Sequence, residues 1–337
     1  MNKWLSIALL SSLFLFACGN KKKIPDVSDI KVDVTVKHFE KVFFAIDTNN
    51  IEASLTRLQP QYGSFLNDYL YNLLSLPPVP DSVARNLKLF IRDYRPVFDS
   101  VEKSFASVEK EENEIRRGLQ FTGYYFPNYP LPKQIITYVG PFEGYSNVLT
   151  ASGIAVGLQL YMGKNFSAYQ TDFFKQVYPD YQSRRFAKEY MAANSMTNII
   201  NDIYPPKSGS QPLIEQMIEE GKRMYLLDAF LPDTDDTIKT GYTSAQLEGC
   251  YKNEAAIWNF FIENNLLYNN DPSTIRDYTN DAPRTETLGP DSPGNIGLFI
   301  GWQIVKKWMG EHPETKLPQL LQADAKQIFA EAKYKPR

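Results

Sequence analysis

Apolar positions recur at steps of three and four over most of the chain, with β-type runs in three short stretches, which predicts a mainly helical molecule with a small sheet. Val32, Val34 and Val36 alternate with polar neighbours, the period of a half-buried strand over 31–37. Tyr62, Phe65, Leu66, Tyr69, Leu70, Leu73 and Leu74 then fall on one helical stripe, which Pro77, Pro78 and Pro80 end. A second helical hairpin covers 82–119, interrupted near Pro96, with Lys110 to Arg117 as its solvated face. The runs PLPKQIITYVG (130–140) and SGIAVGLQLYMG (152–163) read as strands that pair across the 141–151 connection. Helical patterns return over 184–203, 212–230, 244–268 and 293–309. Thr243 and Gln246 have capping-box spacing, and Ser292 followed by Pro293 suits an N-cap and first helical position. There is no tandem repeat. The expected fold class is α+β: a mainly α-helical single domain over 31–337 with a small β-sheet. Within it the pattern suggests a helical lobe over 50–120 and a sheet-plus-helix lobe over 130–310.

The first residues change this picture, because they are not part of the domain. Lys3 supplies a positive start, and Leu5 to Phe16 form an apolar run broken only by serines. At about a dozen residues the run is short for a hydrocarbon core of roughly 30 Å, so 1–17 reads as an export signal. Leu15 and Ala17 precede Cys18 in the arrangement of a lipobox, although Phe16 is bulkier than usual there. Cys18 is therefore the expected lipidation site; an ordinary cleaved signal with an incidental cysteine is the alternative. Two or three acyl chains anchor stably, where one binds marginally. Residues 18–30 form a polar tether with Pro25, and Lys21, Lys22 and Lys23 are either a solvated linker or a contact to anionic headgroups worth roughly 1 kcal/mol each. Basic residues after Cys18 lack the acidic pattern of surface export, which predicts a periplasm-facing protein on the cell membrane or the outer membrane.

Cysteine and histidine counts exclude whole classes of chemistry. The two cysteines are Cys18 and Cys250; with Cys18 acylated, Cys250 is left as a buried, inert thiol in a helical apolar pattern. The two histidines, His38 and His312, are far apart, so neither a His-Glu-x-x-His metal helix nor a Ser-His or Cys-His site can be assembled from local motifs. His312, in a Gly-Glu-His-Pro turn, is expected to face solvent. No catalytic residue, metal site or cofactor is assigned. A net charge of -3 with no basic, aromatic-interleaved face argues against nucleic acid. Hydrophobic content of 43% with 14% aromatic is ample for one packed core, and no second membrane-length run follows the signal.

Acids on apolar faces carry more information. Glu254 lies inside the stripe of Leu247, Cys250, Tyr251, Trp258 and Phe261, and Asp228 falls amid Met217, Gly221, Met224 and Tyr225. Glu220 borders that second apolar side, while Glu215, Glu219 and Lys222 point away. A buried carboxylate needs a partner or a raised pKa, so Glu220, Asp228 and Glu254 mark either a structural polar network or a ligand site. Gly297 and Gly301, one turn apart, strip one helix face for close packing, and Trp302 and Trp308 read as core or rim residues rather than a sugar platform.

IPDVSDIKVDV (24–34), FPNYPLPKQIITYVG (126–140), GIAVGLQLYMG (153–163), LIEQMIEEGKRMYLLDAFLP (213–232), YTSAQLEGCYKNEAAIWNFFIENNLLY (242–268) and SPGNIGLFIGWQIVKKWM (292–309) follow the lipobox in order. Together they resemble the GldB family of gliding-motility lipoproteins of the Bacteroidetes over essentially the whole mature chain. The resemblance implies a role in gliding over surfaces and in linked protein secretion, with other gliding and secretion proteins of the envelope as partners and the membrane reached through the N-terminal lipid. It implies no demonstrated enzyme. A weaker similarity is to zinc peptidases of the gluzincin type: an edge strand (GIAVGLQLYMG), a metal-ligand helix, then a Glu-Gly helix (Glu220-Gly221). Asn194-Ser195-Met196-Thr197-Asn198 would stand where the two histidines and catalytic glutamate belong, which implies a degenerate zincin-like core. The expected role is a non-catalytic assembly or stability factor, with an unorthodox or degenerate hydrolase as the alternative and a glycan-binding module as a third reading.

Overall fold

The computed structural model describes residues 24–207 and 211–337, so the expected signal, Cys18 and Lys21 to Lys23 lie outside the described residues. It is α+β and mainly helical, around one four-stranded sheet. The strands are β1 (Thr35–His38), β2 (Gln134–Tyr138), β3 (Asn147–Thr150) and β4 (Gly153–Gly157), in the order β1-β2-β4-β3. β1 and β2 are parallel with Val36 opposite Ile135, β2 and β4 are parallel with Ile136 opposite Ala155, and β3 closes an antiparallel edge with Val148 opposite Ala155.

Two details of the sheet differ from the pattern. The valine alternation overreaches, since only 35–38 pair; the Val32 and Val34 carbonyls accept instead from the Arg116 guanidinium at 3.3 and 3.1 Å. The expected pairing across 141–151 exists, but that connection itself holds β3. GIAVGLQLYMG is therefore not an edge: its strand is enclosed by β2 and β3, which is why Ile154, Ala155 and Val156 are all buried.

Helices precede and follow the sheet. α1 (Phe39–Phe44) leads to α2 (Ile51–Asn67), a wider π-type turn over Asp68–Leu73, and the pair α3 (Pro80–Ser104) and α4 (Glu109–Tyr125). Pro96 does not interrupt α3, because its ring is on the exposed face, where water can serve the carbonyl it leaves unpaired. Nor is 110–117 simply a solvated face: Glu111 is buried, and Arg116 reaches under the chain to the Val32 and Val34 carbonyls. After the sheet come the short α5 (Asp172–Val177) and α6 (Asp180–Ser183), around a small cluster of Leu160, Tyr169 and Phe174. Then follow α7 (Met191–Ile203), α8 (Leu213–Phe230) and α9 (Asp236–Thr240).

The helix expected over 244–268 is two, α10 (Ser244–Lys252) and α11 (Glu254–Glu263), divided at Asn253. Thr243 and Gln246 form the reciprocal capping box that opens α10. α12 (Pro272–Thr279) leads to α13 (Ile296–Glu311), α14 (Leu317–Gln322) and α15 (Ala325–Ala332). Ser292 and Pro293 do not start α13: the Ser292 hydroxyl donates to the Thr285 and Gly289 carbonyls, and the helix begins after Asn295, whose φ is 53°.

The densest helix contact is α8 against α13, and glycine permits it. A Cβ on Gly301 would lie 1.7 Å from the Met217 carbonyl oxygen, and one on Gly221 would lie 2.2 Å from that of Gly301. The two backbones touch where side chains would ordinarily intervene. One continuous buried core runs from Val27 to Tyr334. Cys250 is buried and free, and burial pushes its thiol up to about 12. Among the described residues no helix is long and apolar enough to cross a membrane.

Candidate functional site

α8 passes through the middle of the helical layer with α4, α7, α13 and α15 around it. The side of α8 that carries them faces Tyr204, the Ala323 carbonyl and Lys326, so the sequence expectation that Glu215, Glu219 and Lys222 point away is corrected: all three are buried. Lys222, 0% exposed, donates from Nζ to Glu219 Oε1 at 3.0 Å and to the Ala323 carbonyl at 2.6 Å. Lys207 donates to the same Glu219 oxygen at 3.0 Å, and the Tyr204 hydroxyl donates to the other. Burial by itself would raise the Glu219 carboxyl, but hydrogen bonds from Tyr204, Lys222 and Lys207 outweigh it and hold its pKa below the ordinary value. Burial lowers the Lys222 ammonium against the attraction of Glu219. Glu220 accepts from Arg223 at 2.9 Å, and the same guanidinium donates to the Glu219 and Pro205 carbonyls.

At the C-terminal end of α8 the surroundings open. Asp228 Oδ1 accepts from Lys239 at 2.6 Å and Oδ2 from the Trp302 indole at 2.7 Å. Lys239 also pairs with Asp236 at 2.7 Å, and Lys306 lies over the Trp302 ring, 3.2 Å from its centroid and 3.8 Å from Asp228. Burial works against the Lys239 charge, yet Asp228 and Asp236 raise its pKa; for Lys306 burial wins and lowers it. Glu254, at the first turn of α11, accepts from the Tyr334 hydroxyl. The three acids expected in one network are thus divided. Asp228 and Glu254 both act on Lys306, whereas Glu220 is bound to Arg223 on another part of α8. The break at Asn253 explains part of this, since one helical wheel does not run through α10 and α11.

Asp228 also lines a groove of about 940 Å³. Its walls come from Ile24 and Pro25, Tyr124 and Tyr125 at the end of α4, Tyr225 on α8, and the Pro313–Pro318 segment before and into α14. Three tyrosines and several prolines make it chiefly apolar with hydroxyl tips, and its size is within the usual span of roughly 300–1,000 Å³ for ligand sites.

Sequence reasoning missed a further buried acid. Glu40, 1% exposed, accepts from the Thr137 hydroxyl at 2.7 Å and lies 3.5 Å from His38 Nδ1. The hydrogen bond to Glu40 raises the His38 pKa, and burial raises that of Glu112 nearby. The available signal was Glu40 one turn before Phe44 in FEKVFF, on the side that packs inward. His312 is only partly open, stacked on Trp308 with its Nδ1 2.8 Å from the Trp308 carbonyl oxygen. Trp302 is in the core.

Asn194 to Asn198 lies in α7, which packs on the edge strand β3. Asn147 of β3 donates to the Ser195 hydroxyl at 2.7 Å, Asn194 donates to the Tyr161 hydroxyl at 2.8 Å, and that hydroxyl donates to Asn147. The side chains here are amides and hydroxyls tied to one another. Among the described residues no three His, Cys, Asp or Glu side chains are grouped so as to hold a metal ion.

The family described as gliding motility protein GldB matches residues 20–336, which takes in the sheet, both charge clusters and the groove. The chain belongs to this family. No curated protein and no solved structure matches it. Membership in the GldB family ties the chain to gliding motility and, as a lipoprotein family, to a membrane-anchored place in the cell envelope.

Proposed function

We propose that this GldB-family protein is a non-catalytic support of the gliding apparatus and of protein secretion linked to it, anchored by acyl chains on Cys18 and facing the periplasm. The observation that carries the non-catalytic reading is the state of the acids. Glu219 is held by Lys222, Lys207 and Tyr204, Glu220 by Arg223, Asp228 by Lys239 and Trp302, and Glu254 by Tyr334. Carboxylates engaged this way stabilise helix contacts; a general base needs a free lone pair aimed at a substrate. The export signal and the Leu-x-Ala-Cys arrangement support the anchor.

Chromosomal Glu220→Gln, Asp228→Asn and Glu254→Gln, with folding checked by circular dichroism, should leave gliding and secretion intact. Abolished gliding by a folded variant would overturn the non-catalytic reading. A deletion strain that secretes normally would remove the secretion role. Digestion of the protein by protease added to intact cells would overturn its periplasmic orientation.

A further inference from the structure

The groove beside Asp228 is placed where the anchor must pull. Ile24 and Pro25 form part of its wall, and Ile24 lies six positions after Cys18 in the chain. At no more than about 3.6 Å per residue that stretch reaches about 22 Å, so an acylated Cys18 holds the Ile24 wall of the groove within about 22 Å of the bilayer. The side chains suit such a position. Ile24 is 44% exposed and Tyr124 is 46% exposed, although both are large and apolar-bodied. Tyr124, Tyr125 and Tyr225 present rings with polar tips, the residue type that gathers at headgroup depth. Lys316, also in the lining, has a stem long enough to lie along lipid with its ammonium at phosphate level.

We propose that this tyrosine and proline groove is the membrane-contacting face and seats a phospholipid drawn from the leaflet that holds the anchor. The proposal rests on acylation of Cys18. Tail methylenes occupy the apolar floor between Tyr125, Tyr225 and Leu317, and the headgroup stays at the rim with Asn128 and Lys316. Asp228, already bound by Lys239 and Trp302, forms the inner polar end and adds no free charge for the lipid to meet.

The test uses the full lipidated protein in phosphatidylcholine vesicles, with an environment-sensitive fluorophore on Tyr124→Cys, Lys316→Cys or, as a control, Tyr145→Cys. Tyr145 is 65% exposed and lies outside the groove. Cys250 is buried and does not compete for label. Each variant is checked by circular dichroism, and each sample is weighed by mass spectrometry. Bromine on the lipid tails should quench the labels at 124 and 316 about twofold or more beyond the label at 145, with a blue shift at both. Equal, solvent-like signals at all three positions in protein carrying the acyl mass would overturn the groove proposal and leave the anchor standing. Absence of the acyl mass would overturn both. Labels untouched by lipid but shielded in native envelopes would assign the groove to a protein partner and overturn lipid binding.

Discussion

α8 carries two charge clusters about two turns apart in opposite surroundings. Around Glu219 and Lys222 the charges are enclosed, and each oxygen or ammonium meets a donor or acceptor of the protein. Around Asp228 the same kind of pairing, with Lys239, Lys306 and Trp302, borders an open groove. The first cluster was costly to desolvate and is costly to break, so its role is to hold α8 against Tyr204 and the start of α15 in one arrangement. The second is partly exposed, contributes less, and shapes a surface. Burial, not residue type, separates a structural ion pair from one that can serve a binding face.

The comparison is broken most severely by removing the crossing that both clusters share. Gly301→Ala puts a methyl group against the Met217 carbonyl and forces α8 from α13. A loss of about 5 kcal/mol or more is expected, enough to unfold an ordinary domain, read as insoluble or protease-sensitive protein. Lys222→Met should cost about 3–5 kcal/mol in chemical denaturation, because it leaves the buried Glu219 carboxylate without its fully buried cation. Adding Glu219→Leu to that variant should restore much of the loss; no recovery would show that the pair is not the unit that matters. Asp228→Asn keeps an acceptor for the Trp302 indole and should cost only about 1 kcal/mol.

The pH dependence sharpens the contrast further. The Glu219 carboxyl is held below its ordinary value of 4.5, so its stabilisation is present above that pH and is lost as pH falls through the lower folded value. Glu219→Gln should flatten the acid limb of the stability curve. His38 is shifted the other way, above 6.5, by its hydrogen bond to Glu40. Its contribution is complete below about 6.5 and fades as pH rises through the folded value. His38 is partly solvated, so His38→Gln should change stability between acid and mildly alkaline pH by less than about 1 kcal/mol.

Long, strongly periodic segments were legible because their faces are one-sided. The stripe from Tyr62 to Leu74, the paired strands at 135–138 and 154–157, and the capping box at Thr243 follow from local spacing. The candidate site was legible in part. Asp228 and Glu254 were marked by acids on apolar faces, and both proved to be partnered and to act on Lys306. Glu219 and Lys222 were misplaced because a helical wheel marks which side is polar but not which side meets water, and Tyr204, Lys207 and the Ala323 carbonyl cover this one. The groove had no local signature, since its tyrosines and prolines come from four separate stretches of chain.

The sequence by itself determined the mainly helical class with its small sheet, the scarcity of cysteine and histidine, and the glycines that let α8 and α13 touch. These depend on residue type and short spacing. The tertiary structure alone decided that β3 is an edge strand, that Pro96 is tolerated, that α10 and α11 are separate, and which acids share surroundings. Each of those outcomes depends on what a distant segment covers, and burial sets whether a charge is solvated, paired or left facing a groove.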